Sequence, residues 1–129
     1  MPRDYQPRYD PLPHNVYMQV LYLIRDYDRM KAEYDSLVEE SPSPPDGMPR
    51  GSVTSDPTGN KAVRLEELGR KIRAVEAGRD IVPEEYRKGI WNNIVYRLPY
   101  DTRYTSYRTY RYHRKKMLMT IAKRMAMWE

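Results

Sequence analysis

The residues of this chain best equipped for chemistry lie between Tyr104 and Lys116, where the sequence reads Y-T-S-Y-R-T-Y-R-Y-H-R-K-K. Five cations stand there (Arg108, Arg111, Arg114, Lys115 and Lys116) among four tyrosines, with no acid. Cations at helical spacing suit a ladder of phosphates, and short donors at one end of such a helix suit base edges in a duplex groove. The charge is distributed to match. Residues 83–129 hold 11 Lys and Arg against 4 Asp and Glu, a net of +7. Residues 1–82 hold 12 against 14, a net of −2, so the overall +5 belongs to the C-terminal segment. Cationic helices also meet acidic proteins and lipid surfaces, or simply face solvent. The one-sided charge and the interleaved tyrosines favour a nucleic acid as partner.

Other chemistry is poorly provided for. There is no cysteine, which removes disulfides, thiolate metal sites and cysteine nucleophiles. The two histidines, His14 and His113, stand far apart in sequence and make a poor zinc or imidazole site. Gly47, Gly51 and Gly59 are scattered, and no Lys-Ser/Thr pair follows them to make a phosphate loop. The acid pairs Glu39–Glu40, Glu66–Glu67 and Glu84–Glu85 are adjacent, so on a helix they point apart and cannot share a proton-transfer task. A non-enzymatic protein without cofactor or metal is expected. The start M-P-R-D-Y-Q-P contains no apolar run, so neither signal peptide nor membrane span is expected, and the location implied is the cytoplasm.

The elements that must position the basic run are helical. Residues 1–13 carry four prolines and are expected to be a flexible, extended arm. A helix is expected from a cap at Asn15, with apolar positions Val16, Val20, Leu23, Tyr27, Met30, Tyr34 and Leu37 in alternating steps of four and three. It spans about 26 residues, roughly 39 Å at ~1.5 Å per residue. Residues 41–56 form a linker of Pro, Ser, Gly and Asp. Asp56-Pro57 then opens a second helix with Leu65, Leu68, Ile72, Val75 and Val82 along one stripe. The two stripes can close as an antiparallel hairpin over residues 14–82 or pair with a second copy of the chain. Pro83-Glu84-Glu85 starts a third helix with Tyr86, Ile90, Trp91, Ile94 and Val95 on one side, stopped at Leu98-Pro99. Thr105-Ser106 offers caps for the last helix, whose apolar stripe is Tyr107, Tyr110, Met117, Leu118, Ile121, Met125 and Trp128. Its opposite side carries Arg108, Tyr112, Lys115, Lys116 and Lys123, with Arg111 on the flank.

Two segments carry a family resemblance. P-E-E-Y-R-K-G-I at 83–90 and S-Y-R-T-Y-R-Y-H-R-K-K-M-L at 106–118 resemble the C-terminal half of phage and prophage transcriptional activators of the RinA/ArpU type. That half is similar to the helix-turn-helix of sigma-70 region 4. The segment I-R-D-Y-D-R-M-K-A-E-Y-D-S-L and the linker D-G-M-P-R-G…D-P-T-G-N-K-A look like the N-terminal half of related small prophage proteins. The resemblance implies that Ser106 caps a recognition helix and that Tyr110, Met117 and Leu118 are buried. It implies that Tyr107, Arg108, Thr109, Arg111, Tyr112 and Lys115 face a groove, with Lys116 on the same basic side. Arg114 falls within the apolar stripe, so its stem packs and its head reaches the backbone at the rim. Arg87 and Lys88 stand where a supporting helix crosses phosphates. Only eight residues, L-P-Y-D-T-R-Y-T, run from Leu98 to Thr105, which shortens the motif by about one helical turn.

The expected protein is therefore all-α: a long helical hairpin followed, over residues 83–129, by a basic helix-turn-helix-like unit. The implied function is a DNA-binding transcriptional regulator acting in the bacterial cytoplasm or nucleoid. It would grip duplex DNA, touch RNA polymerase and form a homodimer or higher oligomer. A helical adaptor or assembly protein acting through the hairpin, and an RNA-binding protein stacking bases on Tyr and Arg, are the alternatives.

Overall fold

The computed structural model describes residues 6–40 and 57–128. The described residues form five α-helices and no strand: α1 (His14–Arg25), α2 (Tyr27–Glu39), α3 (Pro57–Asp80), α4 (Glu84–Tyr96) and α5 (Tyr107–Arg124). The all-α class is as expected. The linker 41–56, the cap at Asp56 and the first five residues of the arm lie outside the described residues.

The first long helix is divided at Asp26, whose φ of −87° and ψ of −4° lie at the shallow edge of the helical basin. The hydrogen-bond ladder still crosses it, with Asp26 N–H on the Tyr22 carbonyl and Met30 N–H on the Asp26 carbonyl, both at 2.9 Å. The two halves have different neighbours. α2 lies against α3, and the pairs Tyr27–Glu76 and Glu33–Arg64 run in opposite order along the two helices. Tyr27 Oη donates to Glu76 at 2.6 Å, and Arg64 grips the Glu33 carboxylate in a two-pronged pair. That guanidinium holds the Glu33 carboxyl below its ordinary range. α1 instead sits among α3, α4 and α5. Its buried residues are Tyr17, Val20, Leu21 and Ile24. This face is wider than a heptad stripe because a helix with three neighbours must bury more than one seam. Helix α1 starts at His14 with Pro13 at the cap position and no side-chain cap bond, so the cap stands two residues before the expected Asn15. Proline's fixed φ supplies the turn there.

Packing across α3 and α5 depends on Gly78. A Cβ on that residue would stand 2.5 Å from Ile121 Cγ1 and 3.0 Å from the Met117 carbonyl oxygen. The absence of a side chain lets the two helices approach. Helix α5 therefore packs mainly on α3 and α1 rather than on α4 alone. One continuous core joins residues from every helix, with Met30, Leu68, Val75, Ile90, Ile94 and Leu118 among its members. The boundary expected at residue 83 divides the chain by charge but not by core.

The N-terminal segment also differs from expectation. Leu12 is buried and Asp10 is 9% exposed. The Asp10 carboxylate accepts the Leu12 N–H at 2.9 Å and Gln6 Nε2 at 3.2 Å. Asp10 N–H closes a turn on the Pro7 carbonyl at 3.0 Å, and Gln6 Nε2 also donates to the Leu12 carbonyl. From Gln6 onward the expected arm is a turn pinned to the core.

Candidate nucleic-acid interface

Ser106 caps helix α5, its hydroxyl accepting the Thr109 N–H at 3.4 Å, so the expected cap is present. The ten residues from Arg97 to Ser106 contain no helix. Arg97 ends α4 in the left-handed region, φ 56° and ψ 33°, with Leu98 N–H on the Asn92 carbonyl at 3.3 Å. A middle helix of a helix-turn-helix is thus absent between α4 and α5. Tyrosines hold the connection instead. Tyr100 stacks on Tyr110 with centroids 4.6 Å apart, and Tyr110 Oη donates to the Asp101 carbonyl at 3.0 Å. Tyr107 meets the Tyr100 edge at 6.0 Å. Arg103 forks onto the Asp101 carboxylate and holds that carboxyl down at about 2.

One side of α5 buries Tyr110, Met117, Leu118, Ile121 and Ala122. The other presents Arg108, Arg111, Tyr112 and Lys115, a row in helical steps of three, one and three. These four, together with Tyr9, line a groove of about 290 Å³. Among the described residues no carboxylate pairs with Arg108, Arg111 or Lys115. Two further expected residues flank the row. Tyr107, 50% exposed, lies under the Arg111 guanidinium at 5.7 Å. Lys116 stands 5.6 Å over the Tyr112 ring, which is 52% exposed.

Four of the expected site residues do other work or stand apart. Thr109 is part of the cap, its hydroxyl 3.3 Å from that of Ser106, and is absent from the groove lining. Arg114 turns inward rather than reaching a rim. It donates from Nη2 to Tyr17 Oη at 2.9 Å, stacks its guanidinium 5.5 Å over that ring, and buries an Nε with no partner. Its place between Tyr110 and Met117 on the buried side carries the head into α1. Arg87 closes the α3–α4 turn, donating to the Val82 carbonyl at 2.7 Å and the Asp80 carbonyl at 3.0 Å. It therefore satisfies carbonyls at the end of α3, where a cation is favoured by the helix dipole. Lys88 is exposed on α4 and takes no part in the groove.

Tyr9 is the groove residue that sequence patterning passes over, since it lies 99 positions before Arg108. Only Asp10-Pro11, a turn-forming pair ahead of the apolar Leu12, hints that its segment folds back. Burial raises the Tyr9 hydroxyl above its ordinary pKa, against the pull of Arg114 and Arg111. Burial likewise pushes Tyr100 up to about 12. Both hydroxyls are neutral donors at physiological pH. His113 is stacked on Tyr86 with centroids 5.0 Å apart and meets Tyr112 edge-on at 5.2 Å. No group of three or more acids and histidines able to hold a metal occurs among the described residues, and no described helix is long and apolar enough to cross a membrane.

No family model, curated protein or solved structure matches this chain.

Proposed function

We propose that this protein binds duplex DNA through the outward row of α5 and acts as a transcriptional regulator, as the resemblance to phage activators implies. The observation that carries the proposal is the acid-free row Arg108, Arg111, Tyr112 and Lys115, whose cations have no carboxylate partner among the described residues. Cations left unpaired on a fixed helix are free to displace counterions from a phosphate backbone. The missing middle helix and the inward turn of Arg114 argue for a grip on the sugar-phosphate backbone more than deep insertion of α5 in a groove. A second copy of the chain, and contact with RNA polymerase, belong to the same proposal, since one short row gives little sequence discrimination alone.

Fluorescence anisotropy of the full chain with labelled duplex DNA, across a salt series, tests this. Affinity is expected to fall steeply with salt. Arg108→Ala with Arg111→Ala is expected to lower the slope of log K against log salt by about 1.8, two contacts at ~0.9 each. Salt-independent binding, or an unchanged slope in the double variant, overturns the proposal.

A second reading draws on three exposed rings with cations above them. Arg103 lies 5.6 Å over Tyr104, which is 90% exposed, and the Arg111–Tyr107 and Lys116–Tyr112 pairs continue the set. Such rings stack on unpaired bases. Tighter binding of single-stranded RNA than of duplex DNA in the same titration would move the assignment to RNA.

A further inference from the structure

We propose that the N-terminal segment is part of the DNA site, with Tyr9 as a second wall that holds one phosphodiester of one strand against Arg108, Arg111 and Lys115. This rests on the duplex-binding proposal and adds to it a contact from outside the basic helix.

The geometry begins with shape. A single helix is convex, so its guanidinium forks and ammonium heads reach a phosphate from one direction. Tyr9 faces the α5 row and turns it into a groove of about 290 Å³. The backbone of a duplex is itself convex with its phosphates outermost, so a concavity receives one phosphate where a plain helix face meets it from one side only. The lining is chemically consistent with that occupant: three cations and two phenols. Asp10, the acid next to Tyr9, has its carboxylate engaged by the Leu12 N–H and by Gln6.

The wall is also held in place. Leu12, three residues on, is buried in the core, and Tyr9 lies within the turn that the Asp10 N–H closes on the Pro7 carbonyl. A ring carried on a pinned turn binds with its backbone already ordered, which lowers the entropic cost of contact. Its hydroxyl can donate to a phosphate oxygen while the ring face packs on the adjoining sugar.

The experiment compares the full chain with Tyr9→Ala, Tyr9→Phe and Arg108→Ala in the duplex anisotropy titration across salt. Tyr9→Ala is expected to weaken binding about tenfold at every salt concentration, the loss of one hydrogen bond to a charged group. Its slope against salt stays at the wild-type value because no cation is lost, whereas Arg108→Ala becomes shallower. Tyr9→Phe is expected to fall between wild type and Tyr9→Ala. It keeps the test valid if the alanine variant melts early. Inorganic phosphate is expected to displace the duplex no better than chloride at equal ionic strength; specific displacement would mark a free-anion site and overturn the strand assignment. Wild-type affinity in both Tyr9 variants beside a weakened Arg108→Ala overturns the inference and leaves duplex binding standing. Failure of the wild-type chain to bind overturns both.

Discussion

Adding one methyl group to Gly78 measures how closely α3 and α5 approach. The new Cβ of Gly78→Ala would lie 2.5 Å from Ile121 Cγ1, 2.9 Å from Ile121 Cδ1 and 3.0 Å from the Met117 carbonyl oxygen. Optimal carbon contacts lie at about 3.5–4.0 Å, so the helices must part by about 1 Å. Neither neighbour yields easily, because Ile121 is fully buried and the Met117 oxygen is backbone. Overpacking of this kind costs roughly 1–3 kcal/mol. Replacing glycine by alanine within a helix returns about 0.8–1.0 kcal/mol. Gly69 supplies the control, since it lies in the same helix. Its Cβ would meet the flexible end of Arg73 at 2.9 Å and Tyr34 Cε2 at 3.5 Å, so the helical gain survives. Thermal melts by circular dichroism are expected to place Gly69→Ala above wild type and Gly78→Ala below Gly69→Ala. The gap isolates the overpacking, roughly 1–3 kcal/mol. At about 3–5 °C per kcal/mol for a chain of this size, that is roughly 3–15 °C. In a double-mutant cycle the effects of Gly78→Ala and Ile121→Ala are expected to be less than additive. If Gly78→Ala raises the melting temperature as much as Gly69→Ala, the two helices do not touch there and the placement of α5 is wrong.

Two further outcomes follow from the site. Arg114→Met is expected to lower stability by about 1 kcal/mol through loss of the bond to Tyr17, while leaving the salt slope of DNA binding unchanged; a slope reduced by about 0.9 would put Arg114 on a phosphate after all. At alkaline pH, Tyr100 keeps its proton up to about 12 whereas the unfolded chain releases it near the ordinary value of 10.0. The folded state then holds the extra proton, so stability falls as pH rises from 10 toward 12. Tyr100→Phe is expected to remove the tyrosinate absorbance step near about 12 and to flatten that loss, and an unchanged titration would show that the ring is not buried against Tyr110.

Much of the helical frame was legible because apolar spacing reports burial directly. Val20, Met30, Leu68, Ile72, Val75, Ile90 and Ile94 are all buried where their stripes placed them. Ser106 was legible as a cap because a hydroxyl ahead of a helical run has one obvious use. Burial of Tyr17, Leu21 and Ile24 was not, since a stripe records one neighbour and α1 has three. Tyr107 shows the opposite failure: it continues an apolar stripe yet is half exposed, because the connection 97–106 covers only part of the first turn of α5. Arg114 sits on the buried side by spacing but is read as a surface cation by type, and only the Tyr17 hydroxyl across the core resolves the conflict. Tyr9 gave no signal beyond the Asp10-Pro11 turn pair after it, because a contact between a turn near the start of the chain and a helix near its end leaves no other trace in local pattern.

The three neighbours of α1 have a consequence in time. Arg25 bonds to Ile94, 69 positions later, and Tyr17 to Arg114, 97 positions later. A ribosome adding ~5–20 residues per second takes roughly 5–20 s to cover the longer of these intervals. For that period α1 has emerged with Tyr17, Val20, Leu21 and Ile24 ready for burial, and most of what buries them is still unmade. Contacts of such long sequence range also close slowly once the chain is released. The basic helix that gives this protein its charge is thus also the last piece its first helix waits for.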